Sequence, residues 1–261
     1  MNVLDLFQLT GKTAIVTGGA RGLGRQSALA LAEAGADVAI CDLLEDEGER
    51  TCEELAALGR RAWFEKVDVT CPDQIGLFVS GVIQRLGKID ILVNNAAMPS
   101  LGMSLEEISD ANWQRSIETN LSSLFYFAKP MARHIIERGQ GGCIINMASI
   151  SGLIINNILP RHNVEYCTAK AGVAHLTKGM ASEWAPYGLR VNAIAPGNIR
   201  TAQTAASAQY TEIVERIINS TPMKRYGRDD ELKGAIVFLA SEASSFMTGS
   251  VVVIDGGLTI W

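Results

Sequence analysis

The sequence is poor in the residues that would mark a disulfide-stabilised, metal-binding or nucleic-acid-binding protein. Its five cysteines include no pair at CxxC spacing, and its three histidines form no recognisable ligand group. This pattern favours free thiols in the cytoplasm and no metal site. A formal net charge of -5 disfavours a nucleic-acid partner.

Long apolar runs are also missing. No stretch approaches the roughly 20 apolar residues that a membrane-spanning helix needs. The opening residues, MNVLDLFQL, lack the basic start and apolar centre of a signal peptide. We therefore expect neither membrane association nor secretion. What is present is a chain of 261 residues, 48% of them hydrophobic, which is enough to bury the core of one α/β domain.

Short β-branched strands alternate with amphipathic helices along the whole chain. Strands are predicted at 13–17, 37–41, 61–67, 90–93, 141–147, 189–195 and 250–255, and helices at 26–34, 45–58, 72–86, 110–138, 164–184 and 231–240. This order predicts an α/β fold, a Rossmann-type doubly wound parallel sheet in a single domain over residues 1–261. Asn163 is the predicted N-cap of the helix that ends at Trp184. The polar stretch 202–226 is a candidate substrate lid.

A glycine-rich turn follows the first strand, with the spacing Gly18-x3-Gly22-x-Gly24. Glycines let the backbone approach a pyrophosphate, and the helix start presents free N–H groups to it. Asp42 ends the second strand, where a carboxylate binds the adenosine ribose hydroxyls of a dinucleotide. It would repel a 2′-phosphate ~4 Å away by about 4 kcal/mol at an effective dielectric near 20.

Two features work against an assignment of NAD, which lacks the 2′-phosphate, as the cofactor. Arg21, in the glycine turn, would favour a 2′-phosphate, and Asp42 could simply cap the turn that follows it. Because the position of Asp42 meets the 2′-hydroxyl directly, the sequence nevertheless predicts NAD rather than NADP.

Tyr166 and Lys170 are four residues apart and therefore share one face of a predicted helix. An unperturbed tyrosine has a pKa of about 10, and a neighbouring cation lowers that pKa by favouring the phenolate. Such a pair can move a proton to or from an alcohol oxygen. The spacing alone does not distinguish this pair from two ordinary helix residues.

The residues at the strand ends are a stronger indication of a binding site. Gly18, Asp42, Asp68 and Asn94 all fall at the carboxyl ends of predicted strands, where parallel sheets bind ligands.

Together these pieces resemble the short-chain dehydrogenase/reductase family over essentially the whole chain. The matching motifs are TGGARGLG (17–24), Asp68-Val69, NNAA (94–97), Asn120, Ser149, Tyr166-x3-Lys170 and PGNIRT (196–201). The resemblance implies reversible hydride transfer between NAD and a secondary alcohol or ketone. It implies Tyr166 as the acid/base, and Lys170 lowering its pKa and holding the nicotinamide ribose. Ser149 would bind the substrate oxygen, and Asn120 would interrupt its helix and bind a water.

The resemblance also implies a set of cofactor-binding residues. They are Gly18, Arg21, Gly22, Leu23, Gly24, Asp42, Asp68, Val69, Asn94, Ala96, Tyr166, Lys170, Pro196, Gly197, Ile199 and Thr201.

A long gap between Ser149 and Tyr166 and the ending DGGLTIW resemble the polyol and sugar-acid dehydrogenase branch of the family. Ser151, Asn157 and His162 are the candidate substrate residues in that gap. The resemblance further implies a homotetramer with a small-molecule substrate. The alternatives are a reductase of 3-oxoacyl thioesters or other ketones, and a catalytically silent dinucleotide-binding protein. The intact set of Ser, Tyr, Lys and Asn disfavours the silent protein.

Overall fold

Seven parallel strands form the central sheet. The structure, a computed structural model, describes residues 2–99, 102–155, 162–201 and 211–260. Its strands are β1 Thr13–Thr17, β2 Asp37–Asp42, β3 Ala62–Lys66, β4 Ile91–Asn94, β5 Gly142–Met147, β6 Leu189–Pro196, β7 Ile199–Arg200, β8 Gly227–Arg228 and β9 Val251–Ile254. The sheet order is β3-β2-β1-β4-β5-β6-β9, and β7 pairs with β8 separately. The order reverses between β1 and β4, which is where doubly wound sheets bind ligands.

Helices cover both faces of this sheet. They are α1 Gly22–Glu33, α2 Glu45–Ala57, α3 Pro72–Leu86, α4 Asp110–Ile117, α5 Ser123–Arg138, α6 Val164–Trp184, α7 Thr211–Ser220 and α8 Lys233–Ala240. None of the helices in the described ranges is both long and apolar enough to cross a membrane. The predicted α/β fold with a parallel sheet is confirmed.

Alternation along each strand divides the core between the two faces. Val38 and Ile40 of β2 pack with α1, α2 and α8, whereas Ala39 and Cys41 pack with α3 and α5. Ile15 and its neighbours in β1 follow the same rule. A strand that is buried on both faces has to be apolar throughout, which is why these strands read as continuous hydrophobic runs.

Three local predictions need correction. Helix α1 begins at Gly22 rather than at residue 26, so the end of the glycine turn is already helical. Asn163 has φ 54° and ψ 49°, a left-handed conformation, and its side chain caps no described N–H group. Asn163 therefore holds the N-cap position through its main chain, because its carbonyl oxygen accepts from the Cys167 N–H at 2.9 Å, and the side-chain cap expected of an asparagine is missing. The predicted helix 110–138 is divided by a π-helical turn, Glu118–Ser122.

The predicted lid is described only in part. Residues 202–210 lie outside the described ranges, and α7 occupies 211–220. Helix α7 places Ile213 and Ile217 on one side, four residues apart, and exposes Glu212 and Glu215. It is therefore an amphipathic helix that needs an apolar surface to pack against.

Candidate active site

The glycine turn between β1 and α1 passes close to its own backbone. A Cβ atom at Gly24 would lie 1.9 Å from the carbonyl oxygen of Gly18, so no side chain fits there. Gly18 has φ +63°, and a Cβ at that position would lie 2.8 Å from the Cα of Ala96. The turn therefore requires glycine and brings bare backbone to the start of α1. This is the cradle that a pyrophosphate needs.

Thr17 and Asn95, which belong to the TGGARGLG and NNAA motifs but were assigned no role of their own, hold this turn against the end of β4. The Oγ1 of Thr17 accepts hydrogen bonds from the main-chain N of Asn95 and of Ala96, each at 3.0 Å. The Asn95 amide donates to the carbonyl oxygens of Thr17 and Gly18, also at 3.0 Å. Polar side chains at the carboxyl ends of neighbouring strands were the available signal for both residues.

Asn94, a predicted cofactor residue, has its side chain inside the protein. It is 2% exposed, and its Nδ2 donates to Asn146 Oδ1 at 2.9 Å. Asn146 in turn donates to Thr177 Oγ1 at 3.0 Å, so the amides link β4, β5 and α6. The side chain of Asn94 thus joins strands, and its cofactor contact stays a prediction.

The Asp42 carboxylate accepts three main-chain hydrogen bonds. Oδ2 accepts from Ala20 in the glycine turn at 3.1 Å, while Oδ1 accepts from Leu43 at 2.8 Å and Leu44 at 3.2 Å. Asp42 therefore caps the turn after β2 and also joins that turn to the glycine turn. It is half-buried, whereas Arg21 is exposed. A carboxylate fixed beside the glycine turn places negative charge where the adenosine end of a dinucleotide is expected.

Asp68 and Val69 lie at the end of β3, next to the strand that carries Asp42. Asp68 Oδ1 accepts from the main-chain N and the hydroxyl of Thr70, at 2.9 and 2.7 Å. Val69 is 9% exposed. The predicted adenine contacts therefore lie at the same edge of the sheet as the glycine turn.

Ser149, Tyr166 and Lys170 come together at the end of β5. Ser149 follows that strand, and its hydroxyl lies close enough to the phenol of Tyr166 on α6 to lower the pKa of that phenol by hydrogen bonding. Lys170 lies one turn further along α6, with its Nζ 5.7 Å from the centre of the Tyr166 ring. A hydroxyl, a phenol and an ammonium group therefore share one site, although 21 positions separate Ser149 from Lys170 in the chain.

A close approach of two backbones holds Ser149 at this site. Gly152, in the turn Ile150–Gly152, would place a Cβ 2.4 Å from the carbonyl carbon of Lys170. The main-chain N of Ser151 donates to Ser149 Oγ at 3.1 Å. The absence of a side chain at Gly152 therefore lets the turn that carries Ser149 rest on α6.

Burial is the main cause of the pKa shifts of Tyr166 and Lys170. It raises the pKa of Tyr166, and the hydrogen bond with Ser149 opposes that rise. It lowers the pKa of Lys170 to about 8. The expectation that Lys170 lowers the pKa of Tyr166 is therefore wrong for the protein by itself. The physical reason is that desolvation disfavours both charged forms, while the Lys170 ammonium is directed at the Met147 carbonyl, 2.7 Å away.

Asn120 sits in the π-helical turn and is fully buried. Its Oδ1 accepts from the main-chain N of Met98 at 3.0 Å, and its Nδ2 donates to Ser116 Oγ at 3.2 Å. The implied interruption of the helix is present. Because both ends of the amide are engaged in this way, the side chain ties the π-turn to the loop after β4. The implied water contact stays a prediction.

The loop after β6 reaches the glycine turn. A Cβ on Gly22 would have Thr201 as its nearest neighbour, at 3.8 Å from the Thr201 Cβ. Pro196 and Ile199 are buried, and Gly197 donates to the Ile254 carbonyl at 2.9 Å. The predicted cofactor residues of this loop therefore lie at the carboxyl ends of the strands, as the glycine turn after β1 does.

The candidate substrate residues are only partly placed. Ser151 is half-buried beside Ser149, and His162 is exposed, with its carbonyl accepting from Cys167 Sγ at 3.2 Å. Asn157 lies outside the described residues. Among the residues that are described, no group of three or more His, Cys, Asp or Glu side chains is arranged to hold a metal ion.

Comparison with known proteins agrees with this geometry. Residues 18–259 match a family described as enoyl-(acyl carrier protein) reductase. The chain is 36% identical to galactitol 2-dehydrogenase of Rhizobium johnstonii, covering all of both chains. It is 38% identical to gluconate 5-dehydrogenase of Gluconobacter oxydans, covering 98% of each. A gluconate 5-dehydrogenase from Burkholderia cenocepacia, crystallised with NADP and tartrate, superimposes with a TM-score of 0.93 at 36% identity over all of both chains.

Proposed function

The chain belongs to the short-chain dehydrogenase/reductase family, and on that premise we propose that it is an NAD-dependent dehydrogenase of a polyol, sugar or sugar acid. As a member of this family it is an oxidoreductase acting on secondary alcohols or ketones. The observation that carries the proposal is the convergence of Ser149, Tyr166 and Lys170 beside a glycine cradle.

The residues present fit a nicotinamide dinucleotide. The backbone cradle at Gly18 and Gly24 would be filled by any Cβ, and α1 starts directly at this turn. Gly18, Arg21, Gly22, Leu23 and Gly24 would hold the pyrophosphate. Asp42, Asp68 and Val69 would hold the adenosine, and Asn94 and Ala96 would line it. Pro196, Gly197, Ile199 and Thr201 would face the nicotinamide side. When bound, the dinucleotide would supply the hydride acceptor for oxidation of the carbinol carbon and the hydride donor for reduction.

The chain's own residues handle the proton. In the oxidation direction Tyr166 takes the proton of the substrate hydroxyl, and it returns a proton to the carbonyl oxygen in reduction. Ser149, which lies beside Tyr166, donates to the same substrate oxygen and stabilises the charge that develops on it. Lys170, 2% exposed, holds the nicotinamide ribose and supplies positive charge near the phenol.

The choice of NAD over NADP rests on Asp42. Its carboxylate is fixed by Ala20 and Leu43 at the end of β2, so it cannot turn away from a 2′-phosphate without losing those bonds. Arg21 is exposed and offers the phosphate a weaker, more solvated partner.

The substrate class rests on the polar side chains in the gap after Ser149 and on the activities named for the relatives. Ser151 lies next to Ser149, and His162 is exposed shortly before Tyr166. Hydroxyl and imidazole groups suit a polyhydroxylated substrate because each of its oxygens needs a hydrogen-bond partner once it is buried. Asn157 belongs to the same proposed set.

Apolar side chains near the edge strand β9 support an assembly of identical subunits. Val253 is 40% exposed, Ile260 is 77% exposed, and Phe246 is completely exposed. Contiguous exposed apolar patches commonly mark an interface, and we propose that these three side chains belong to one such patch. We propose a homotetramer, to be checked by light scattering of the purified protein. Five free thiols support a cytoplasmic location.

Purified protein should be screened with NAD and NADP against polyols, sugar acids and 3-hydroxyacyl thioesters. We expect turnover of the first two groups with NAD. Turnover of thioesters alone would support the alternative, a reductase of 3-oxoacyl thioesters. Dinucleotide binding with no turnover of any secondary alcohol or ketone would favour a catalytically silent protein.

A further inference from the structure

A small apolar cluster lies apart from the two main cores, beside the catalytic serine. Ile150, Ile217 and Leu258 are 3%, 5% and 6% exposed, and Ile154, Ile213 and Tyr226 pack against them. Ile150 directly follows Ser149, Ile217 belongs to α7, and Leu258 belongs to the C-terminal turn Leu258–Ile260. Three segments distant in the chain therefore meet at one point next to the site.

The C-terminal turn is held rigidly by Asp255 and two glycines. Asp255 accepts from the main-chain N of Gly257 through Oδ1 and of Thr259 through Oδ2, both at 2.8 Å. Gly256 and Gly257 have φ values of +64° and +86°, which L side chains rarely adopt. The chain thus turns sharply after β9 and directs Leu258 inward.

The segment from Asp255 to Leu258 also contacts two other parts of the chain, one on each side of it. On one side the main-chain N of Met223, just after α7, donates to the Gly256 carbonyl at 3.1 Å. A Cβ on Gly257 would lie 3.0 Å from Pro222. On the other side, a Cβ on Gly197 would lie 2.6 Å from the Cα of Asp255. The turn therefore joins the end of α7 to the loop after β6.

Helix α7 depends on this cluster for its apolar contacts. Ile213 and Ile217 face the cluster, and Glu212 and Glu215 are exposed. An isolated helix of ten residues is marginal in water, so packing has to stabilise it. Removing Leu258 would take away the apolar surface that holds α7 on Ile150.

We propose that Leu258 is a positioning residue that seats α7 on the turn carrying Ser149 and so sets the substrate side of the site. The expected effect of Leu258 on substrate KM rests on the proposed function, whereas its expected effect on the packing of α7 does not. This assigns a role to the DGGL sequence near the end of the chain.

The kinetic test compares Leu258→Ala with Leu86→Ala, which truncates an equally exposed leucine at the end of α3. We expect Leu258→Ala to raise the KM for the alcohol by roughly 10-fold or more and to change the NAD dissociation constant by less than about 2-fold. Leu258→Met should stay within about 2-fold of the wild type because it conserves volume. Equal KM values for the two alanine variants would overturn the proposal.

Hydrogen exchange of the backbone amides provides a readout that does not need activity. In Leu258→Ala we expect faster exchange at 213–220 and at 150–153, and in Leu86→Ala wild-type exchange at both segments. Wild-type exchange at 213–220 in Leu258→Ala would refute the proposal. If the wild type oxidises no alcohol in the screen, the proposed function fails, and the exchange rates still decide this inference.

Discussion

The Nζ atom of Lys170 donates a hydrogen bond to the main-chain oxygen of Met147, 2.7 Å away. Met147 ends β5, two residues before Ser149, so this bond fixes α6 against the strand that delivers the serine. The same lysine is 2% exposed, and burial lowers its pKa to about 8. Lys170 therefore links α6, which carries Tyr166, to β5, which leads into Ser149. It is also a source of charge.

Replacing Tyr166 with phenylalanine tests the assignment of the proton-transfer group. We expect Tyr166→Phe to lower kcat by roughly 10²–10⁴-fold or to abolish turnover, because only the hydroxyl is removed. NAD binding, measured by fluorescence titration, should stay nearly unchanged. Tyr187→Phe, at a site 51% exposed, is the matched control. Substantial activity in Tyr166→Phe would refute the assignment.

The pH profile should follow from the same group. Burial raises the pKa of Tyr166, so its phenolate, the form that accepts a proton, becomes populated only as the pH rises. We therefore expect kcat/KM for alcohol oxidation to increase with pH and kcat/KM for ketone reduction to decrease. Parallel profiles in the two directions would contradict this role.

Lys170 should reduce the stability of the protein near neutral pH. Its pKa falls from 10.5 to about 8, so between these values Lys170 binds more protons in the unfolded state than in the folded state, and its contribution to the free energy of unfolding rises with pH. At 1.36 kcal/mol per pH unit the rise is up to about 3 kcal/mol.

Lys170→Met should lack this contribution, so its free energy of unfolding should rise less, or fall more, from pH 7 to pH 10 than that of the wild type, and it should be inactive. Urea unfolding at pH 7 and pH 10 measures the difference. Lys178→Met, on the exposed side of α6, is the control and should retain the wild-type pH dependence. The same pH dependence in Lys170→Met and the wild type would show that Lys170 is not the group responsible.

Asp42 should set the cofactor preference. We expect the wild type to prefer NAD, and Asp42→Ala to shift the NADP/NAD ratio of kcat/KM toward NADP by roughly 10-fold or more, because a charge facing the 2′-phosphate is lost. Asp42 also binds Ala20 and Leu43, so alanine should weaken NAD binding as well.

Asp42→Asn separates these two effects, because it removes the charge and keeps an acceptor oxygen. It should relax the preference with a smaller loss of NAD affinity than Asp42→Ala. Equal kcat/KM values with NAD and NADP in the wild type would show that the cofactor proposal is wrong.

Gly152 should be required for the placement of Ser149. A methyl group there would lie 2.4 Å from the backbone of Lys170, and because a helix backbone cannot yield, the turn would have to shift. A displacement of about 1 Å can cost on the order of 10²-fold in rate, so we expect a loss of that size in kcat/KM for Gly152→Ala.

Gly179→Ala is the matched control, because it lies in α6 with no atom within 4 Å of the added methyl group. It should keep full activity and gain about 0.4–1 kcal/mol in stability. Wild-type kcat/KM in Gly152→Ala would mean that the close approach does not position Ser149.

Local signals in the sequence predicted most of the secondary structure. Helix α3 runs from Pro72 to Leu86 as predicted, since proline favours the first helical turn and Gly87, at φ 90°, ends it. Strand β1 was predicted to the residue because it is short, rich in β-branched residues and apolar at its centre. Local signals located the N-cap at Asn163 but did not indicate its left-handed backbone. They were also incomplete at Asn120, whose helix contains a π-turn that no periodicity reveals.

The sequence by itself determined the alternating elements, the glycine turn and the four-residue spacing of Tyr166 and Lys170, because each depends on residues close together in the chain. Only the tertiary structure decided that Lys170 binds Met147, that Asn94 binds Asn146, and that Leu258 meets Ile217 and Ile150. Those contacts depend on which strands lie side by side and which backbones approach closely. Burial, which sets the pKa of Tyr166 and Lys170, exists only once the chain has folded around them.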